Sequence, residues 1–559
     1  MQKNKQMQKN KRQNVKNVRS VIRQTVTGYA GLSLGIVLAV AGAIVTALLP
    51  PWILGSIVDT ITTGNTVPVA LVILYFAFTV LTGLTESLRE GLLTVFGQKI
   101  THALRSSMME KYTNLTAGEL TKQEPGTIVS RFVGDVDTVE NLFTSGIISM
   151  FADACKIISI LVVIWLKNRG LAIVLLVLLP FLYWFTRAVQ KNMLKAQIEN
   201  RCAVGRASGH VPETLHNIRT IHTLGKERYM EQRYDEYIAE SYRAVDRTNF
   251  YDAIYSPVIL ILNAIVVAVV MLFSASGNAK VLTLFGMSAG TAIAVINYIS
   301  QIFTPVESLG MEIQTIQSAI AGVHRINEFY ALEELPERVR NLEIPVTTEE
   351  EMPFVELQNV TFAYEDDSRK ILHHVSFKVY PGEQVTLLGR TGAGKSTVFK
   401  LLLGLYQPGE GKVLIQGRDA FQIPENEKRS LYGYVEQTFH RVPGTVKDQI
   451  TLYDDSFTME EVREAARIAG LDATIEQLEK GYDTICTSEI FSQGQWQLLS
   501  IARAAVAKPK LLLLDEITAN LDAQTEEEVL QALKRASEGR TVISISHRVN
   551  AETGRIITF

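Results

Sequence analysis

Long runs without a charged residue mark the first half of the chain. No Asp, Glu, Lys or Arg lies between Arg23 and Asp59, or between Asp59 and Glu86. Three similar runs follow further along, at 170–186, 253–279 and 281–306. A helix needs roughly 20 mainly apolar residues to cross the hydrocarbon core of a bilayer. The pattern therefore predicts membrane-spanning helices, and a lipid bilayer as their solvent.

Six spans are predicted, at 28–58, 66–95, 143–166, 170–188, 253–274 and 282–306. A buried core helix explains one such run, but not six in succession. The third span carries Asp153 and Lys156, which are three residues apart and can face each other on one helix. An ionisable residue inside a span is costly and invites a functional interpretation. A pair that neutralises itself beside a water-filled cavity is the alternative, so no substrate site is assigned to it.

The loops and the termini predict an orientation and a domain division. The first 23 residues hold eight Lys or Arg and no acid, which favours a cytoplasmic N-terminus in the plasma (inner) membrane. Charge returns after residue 320. We predict four parts, which are a basic cytoplasmic N-terminus (1–24), a six-span domain with cytoplasmic helix extensions (25–330), a linker (331–352) and a second, cytoplasmic domain (353–559).

Overall charge and cysteine content narrow the class of protein. The formal net charge is only −3, so no basic surface for nucleic acid is indicated and no nucleic-acid partner is expected. Cys155, Cys202 and Cys486 have no metal-ligand spacing. Reduced structural thiols are the simplest interpretation.

A glycine-rich loop is the main motif of the second half. From "FVELQNVTFAYE" onward, short β-rich runs alternate with helical stretches, which predicts an α/β domain with a largely parallel sheet. The strand 385–388 leads into a glycine-rich loop and then a helix, the context that the P-loop motif requires. Its candidate phosphate-binding residues are Gly389, Arg390, Thr391, Gly392, Ala393, Gly394, Lys395, Ser396 and Thr397. Lys395 can neutralise the β- and γ-phosphates, and the Ser396 hydroxyl suits Mg²⁺.

A second landmark is "KLLLLDEITANLD". Its four leucines predict a buried strand whose end presents Asp515 to a metal ion and Glu516 to an attacking water. A carboxylate beside the metal ligand is the natural group to polarise that water. His547 ends another predicted strand, "TVISISHR", where a γ-phosphate contact is more plausible than a purely structural role.

These motifs, together with "YVEQ" and "FSQGQ", occur in the order found in ATP-binding cassette (ABC) domains. With six preceding spans, the chain resembles a half-transporter of the ABC exporter class over about residues 25–555. The resemblance implies a membrane all-α domain of six helices followed by an α/β P-loop domain, ATP and Mg²⁺ as ligands, and ATP hydrolysis. It also implies roles for Tyr364 against adenine, Gln437 at the metal, Ser492, Gly494 and Gln495 on the ATP of the opposite cassette, and Asp522 across the dimer.

The signature "FSQGQ" departs from the family pattern. Phe491, Gln493 and Trp496 stand where leucine, glycine and arginine are usual, whereas Gln437, Asp515, Glu516 and His547 match. Glycine lets a backbone approach a phosphate closely, and a side chain restricts that approach. We favour one subunit of a heterodimer, with a second half-transporter supplying a standard signature. A homodimer that tolerates the change is the alternative, because oligomers are most often homomeric.

The expected function is ATP-driven export of an amphipathic or hydrophobic substrate, such as a drug, lipid or peptide, by alternating access. The aromatic residues Tyr75, Phe76 and Phe78 fit such a substrate, but they fit contact with lipid equally well. An ATP-gated channel or regulator on the same scaffold is the competing hypothesis.

Overall fold

The computed structural model describes residues 17–274, 288–335, 352–364, 369–517, 521, 523–546 and 554–559. Internal contacts divide the chain into two units. The first unit holds the chain up to Thr113 together with Glu124–Leu332, and the second holds Asn114–Gln123 together with Glu333–Phe559. The short segment Asn114–Gln123 is joined to the start of the second unit's main segment, where the Leu335 amide donates to the Asn114 carbonyl over 2.8 Å.

The regular secondary structure of the first unit is helical in its described residues. Its helices are α1 (Val18–Gly28), α2 (Ala30–Thr62), α3 (Val69–Thr113), α5 (Pro125–Ser130), α6 (Val136–Asn141), α7 (Ile147–Lys167), α8 (Arg169–His216), α9 (Ile218–Leu224), α10 (Glu227–Ser274) and α11 (Ala289–Ala331). The single-turn π-helices Arg131–Asp135 and Leu142–Gly146 join α5, α6 and α7 into one continuous rod. Helix α4 (Ala117–Lys122) belongs to the second unit.

The predicted spans fall on helices, except for Tyr29, for residues 66–68, which precede the helix that starts at Val69, and for residues 282–287, which lie outside the described part of the chain. By length and composition, Ala30–Thr62, Val69–Thr113 and Pro125–Lys167 are long and apolar enough to cross a membrane. Shorter apolar stretches lie at Leu260–Val269 and Ala289–Phe303. The prediction of a helical membrane domain is therefore confirmed.

Two adjacent prolines, Pro50 and Pro51, lie inside α2. A proline removes the hydrogen bond to the carbonyl four residues earlier, and an unpaired carbonyl is costly in hydrocarbon. Pro50 in this way frees the carbonyl of Thr46. The Thr82 hydroxyl of α3 lies 3.0 Å from that carbonyl, so a side chain of the neighbouring helix replaces the lost donor.

The end of α2 is fixed to the start of α11. The Asp59 carboxylate accepts from the Ser288 hydroxyl (2.7 Å) and from the Gly290 amide (2.8 Å), which satisfies free donors at the N-terminus of α11. A Cβ at Gly290 would overlap the Gly55 carbonyl. Glycine is therefore required where these two helices touch.

An ion pair between a buried aspartate and a half-exposed arginine fixes the first π-helical turn to α11. The Asp135 side chain is 6% exposed, and both of its oxygens accept from Arg325 Nε over 3.0 Å. Gly322 lies one turn earlier in α11, and a Cβ there would overlap the Thr138 hydroxyl. A close helix–helix contact at Gly322 and the Asp135–Arg325 ion pair thus fix the same part of α11.

Two sheets organise the second unit. The antiparallel sheet has the order β2-β1-β4-β5, and the parallel sheet has the order β6-β7-β8-β3-β9. The strands are β1 (Val355–Phe362), β2 (Leu372–Val379), β3 (Gln384–Leu388), β4 (Glu410–Ile415), β5 (Arg418–Asp419), β6 (Tyr432–Val435), β7 (Leu511–Asp515), β8 (Thr541–Ile545) and β9 (Arg555–Thr558). The leucines of β7 are buried between β6 and β8, as predicted.

The helices of this unit pack around the parallel sheet. They are α12 (Lys395–Leu402), α13 (Glu425–Leu431), α14 (Val446–Thr451), α15 (Met459–Ala469), α16 (Asp472–Glu476), α17 (Gln493–Ala505) and α18 (Ala523–Ser537). One apolar core lies under β1–β4 and α12, and a second is formed by α15, α17, α18 and the neighbouring strands. The α/β prediction for this half is confirmed.

Candidate nucleotide site

The glycine-rich loop connects β3 to α12 and has the backbone that its sequence demands. Gly392 and Gly394 have φ values of +85° and +96°, a region that L side chains rarely adopt. A Cβ at Gly394 would also lie 2.6 Å from a Leu372 methyl group. Glycine is required at both positions, and the loop ends at the N-terminus of α12, where free N–H groups and the helix dipole favour an anion.

Lys395, the first residue of α12, is 4% exposed. Its ammonium group donates to the carbonyls of Gly389 (2.7 Å) and Arg390 (3.2 Å), which belong to the same loop. The charge is thereby held at the loop where phosphate oxygens are predicted to bind. Ser396 and Thr391 are exposed beside it, and Thr397 is buried.

Tyr364 lies next to this loop, as its predicted role requires. Its hydroxyl is 3.3 Å from the Thr397 hydroxyl, and Lys400 Nζ lies 5.3 Å from the ring centroid. The ring packs edge-on against Phe362 and Tyr406 at centroid distances of 5.0 and 5.3 Å. These contacts fix the ring plane at the edge of the candidate site, while stacking on adenine stays a prediction.

Two consecutive carboxylates lie at the carboxyl end of β7, Asp515 as its last residue and Glu516 just after it. Asp515 Oδ2 accepts from the Tyr434 hydroxyl over 3.2 Å, and Glu516 Oε2 accepts from Gln437 Nε2 over 3.3 Å. Glu516 has φ +44°, an uncommon backbone for a non-glycine residue and one that clusters at functional sites. The turn at 516 directs consecutive carboxylates to different partners.

Burial makes the negative charge of the Asp515 carboxylate unfavourable. It raises the pKa of Asp515, and the neighbouring Glu516 charge adds to the effect, whereas the Tyr434 hydrogen bond and Lys395 oppose it. Burial also raises the pKa of Tyr434, which therefore stays a hydrogen-bond donor at neutral pH. A nearby cation would relieve the strain on Asp515.

The signature begins α17 with a reciprocal cap. The Ser492 hydroxyl accepts from the Gln495 amide (3.3 Å), and the Gln495 side chain accepts from the Ser492 amide (2.9 Å). This capping box satisfies two free donors at the helix start. Gln493 is the first helical residue and is exposed, and Gly494 is buried with a Cβ position that would overlap Thr525 Cγ2 of α18.

The structure thus brings the loop, Lys395, Gln437, Asp515 and Glu516 to one region of the second unit. Asp522 and His547 lie outside the described residues. Tyr434 and Thr525 were missed by the sequence analysis. Tyr434 offered a weak signal in "YVEQ", as a polar tip on a buried strand, but Thr525 offered none.

Comparisons with known proteins agree with this architecture. Residues 32–306 match the ABC transporter transmembrane region family, and residues 372–519 match the ABC transporter family. The ABC transporter ATP-binding protein YfiC of Bacillus subtilis is 29% identical over 553 residues, which cover 97% of this chain and 89% of that protein. A fatty acid ABC transporter ATP-binding/permease protein of Mycobacterium bovis is 29% identical over 463 residues, covering 82% and 72%.

A solved structure extends the likeness to the fold. A bacterial Atm1-family ABC exporter with ATP bound shares 25% identity, with a TM-score of 0.76 and coverage of 97% of this chain and 94% of that one. Fold and site define a membrane-embedded ATPase. The chain belongs to the ABC exporter family, whose half-transporters dimerise.

Proposed function

We propose that this chain is one half of an ATP-driven exporter that moves an amphipathic or hydrophobic substrate across the plasma membrane by alternating access. Its N-terminus and nucleotide-binding domain are placed in the cytoplasm. The Glu516–Gln437 contact carries the proposal, because a carboxylate held by an amide at the end of β7 is the group expected to polarise an attacking water. The fatty acid transporter named above supports an amphipathic substrate class.

Within this proposal, the polar groups of the site bind the nucleotide and position the attacking water. The backbone of 389–394 and the Lys395 ammonium bind the phosphates, and Tyr364 offers a flat ring to adenine. Glu516 holds and polarises the attacking water, and Gln437 positions Glu516. His547 contacts the γ-phosphate. Phosphoryl transfer needs mainly such positioning and charge stabilisation.

The donor set fits Mg²⁺. Ser396, Gln437 and Asp515 offer a hydroxyl, an amide and a carboxylate, all of them oxygen donors, which hard cations prefer. Burial raises the pKa of Asp515, and a bound cation would stabilise the ionised form of this carboxylate. When bound, Mg²⁺ would supply charge neutralisation at the phosphates.

A Glu516→Gln substitution tests the catalytic assignment. The full chain, with its partner in lipid nanodiscs, should keep its affinity for ATP while turnover falls at least a hundredfold. Glu479→Gln removes an exposed carboxylate of the same unit and should leave both quantities unchanged. Full turnover in Glu516→Gln would remove Glu516 from its role.

Transport against a gradient separates an exporter from a gated channel. Inverted membrane vesicles expose the cytoplasmic face, so ATP and a fluorescent lipid or drug are both added to the outside solution. An exporter accumulates the probe inside, and Glu516→Gln abolishes that accumulation. If ATP only speeds equilibration and never builds a gradient, the channel hypothesis replaces this one.

We propose a heterodimer because Gln493 replaces the usual glycine and is exposed at the start of α17, where the partner's ATP is expected to lie. In this arrangement Ser492, Gly494 and Gln495 face the partner's nucleotide, and Asp522 acts across the dimer. Purification of this chain alone should give little turnover, and adding the second half-transporter should restore it. Full ATPase activity from a dimer of this chain alone would favour a homodimer.

A further inference from the structure

Helix α17 holds the segment that carries Gln437 from both sides. Gln497 Nε2 donates to the carbonyl of Glu436 over 3.0 Å, and Arg503 donates to the carbonyl of His440 over 2.9 Å. Gln437 lies between these two anchor points. The helix that begins with the signature therefore fixes the backbone of the residue that contacts Glu516.

An aromatic contact strengthens this link. The Phe439 ring stacks on Trp496 at a centroid distance of 5.3 Å and an interplanar angle of 23°, and the Arg503 guanidinium lies 4.1 Å from the Phe439 ring centroid. Trp496 also meets the buried ring of Phe491 edge-on at 5.1 Å. Stacked and cation–π contacts both favour a fixed ring geometry. We call Phe439, Trp496 and Arg503 the aromatic clamp.

The charge in the clamp is permanent at physiological pH. Burial lowers the pKa of Arg503 to about 10, so the guanidinium stays protonated at pH 7. Arg503 Nε also donates to the Gln449 carbonyl over 2.7 Å, which fixes the side chain independently of the ring. Its contact with Phe439 is thus part of a rigid arrangement.

The aromatic clamp connects the start of α17, which is proposed to face the partner's ATP, with the segment of Gln437 at this chain's own ATP site. Trp496 lies one helical turn after Ser492, which caps α17 and is proposed to face the partner's ATP. Phe439 lies two residues after Gln437, which contacts Glu516 at this chain's own ATP site. A displacement of the start of α17 would therefore be transmitted to Gln437 through the stacked rings.

We propose that Trp496 is a positioning residue that couples the two nucleotide sites to which this chain contributes. The inference rests on the proposed function, because it takes the signature to act on the partner's ATP. A cavity of about 330 Å³, lined in part by Gln437, Phe439, Gln493 and Trp496, lies beside the rings. It gives Gln437 space to move when the clamp is broken.

Steady-state ATP hydrolysis by the full-length dimer in nanodiscs tests the coupling. Trp496→Leu keeps most of the volume but removes the π-face, and should lower kcat about fivefold to tenfold with KM changed less than twofold. Trp496→Phe retains a ring and should recover most of kcat. Phe457→Leu is the matched control, because Phe457 is half-buried and has its own cation–π contact with Arg429 at 4.6 Å, outside the clamp.

A double-mutant cycle separates coupling from a purely structural role. In the wild-type background, Ser492→Ala and Gln437→Ala should be non-additive, with an interaction of about threefold to tenfold in kcat. In the Trp496→Leu background, the same two changes should combine multiplicatively. An equal interaction term in both backgrounds would overturn the inference.

Tryptophan emission gives a second readout. Trp496 is the only tryptophan after residue 352, the others being Trp52, Trp165 and Trp184. Part of the emission change on adding ATP should disappear in Trp496→Phe. If the wild-type dimer fails to bind or hydrolyse ATP, the proposed function fails. If it hydrolyses ATP and Trp496→Leu matches it in kcat, only the coupling fails.

Discussion

Substitution of Gly494 in the signature tests whether glycine is needed there for packing against α18. It is the second residue of α17, and a Cβ there would overlap Thr525 Cγ2 of α18 while keeping ordinary contact, 3.6 Å, with Thr525 Oγ1. Replacing a helical glycine by alanine stabilises by roughly 0.5–1 kcal/mol through backbone entropy. Overpacking of a close contact costs about 1–3 kcal/mol. The two effects combine to a destabilisation of about 0–2.5 kcal/mol. Because the added Cβ would overlap Thr525 Cγ2 and lie only 3.3 Å from Thr525 Cβ, we expect Gly494→Ala to fall in the upper part of that range, at about 1–2 kcal/mol.

Thermal unfolding of the purified full chain measures this effect. For a domain of this size, each kcal/mol shifts Tm by about 2–4 °C, so Gly494→Ala should lower Tm by about 2–8 °C. Thr525→Ser removes only the overlapping methyl group and is the matched control. The double variant Gly494→Ala, Thr525→Ser should recover the wild-type Tm or exceed it.

Two results would refute this reasoning. Gly494→Ala with a Tm at or above that of the wild type would show that the glycine has no packing role. The glycine would then serve only the approach to a phosphate. A double variant no more stable than Gly494→Ala would show that the Thr525 methyl group is not the source of the strain.

Three further expectations follow from buried polar groups. The folded-state pKa of Asp515 is raised, so its ionised form weakens the fold above that pKa. Asp515→Asn should therefore raise stability at pH 7–8 by on the order of 1 kcal/mol, a gain that shrinks as pH falls through the raised pKa, while ATP turnover is lost. Equal Tm values for the variant and the wild type at pH 8 would contradict this. Arg325→Gln leaves the buried Asp135 carboxylate uncompensated, and should lower stability by about 1–3 kcal/mol, which the double variant with Asp135→Asn partly restores in a thermal-unfolding cycle. Thr82→Val removes the hydroxyl beside the Thr46 carbonyl and should cost about 1 kcal/mol, measured by thermal unfolding in detergent, whereas Thr82→Ser should cost little.

Features set by local sequence were predictable. Charge-free runs located the membrane helices because bilayer thickness fixes the apolar length. The leucines of β7 located a buried strand, and the glycines at 392 and 394 located a tight loop, because side chains other than glycine rarely adopt φ values near +90°.

Features set by tertiary contact were not predictable. Nothing near Gly494 in the sequence points to Thr525, which comes from another helix. The Asp515–Tyr434 hydrogen bond depends on the pairing of β6 with β7, and periodicity alone does not set strand order. The Asp59 contact with the start of α11 likewise joins residues that are far apart in the chain.

The contacts of the signature show which of its unusual residues bear on the choice between a heterodimer and a homodimer. Trp496 contacts Phe439 and Phe491 of its own chain, so its presence in place of arginine has an explanation inside the subunit and says nothing about a partner. Phe491 is 5% exposed and fills a core position, where any large apolar residue can serve. Gln493 is exposed at the start of α17, where the partner's nucleotide is expected. Among the three residues, Gln493 alone therefore favours a heterodimer.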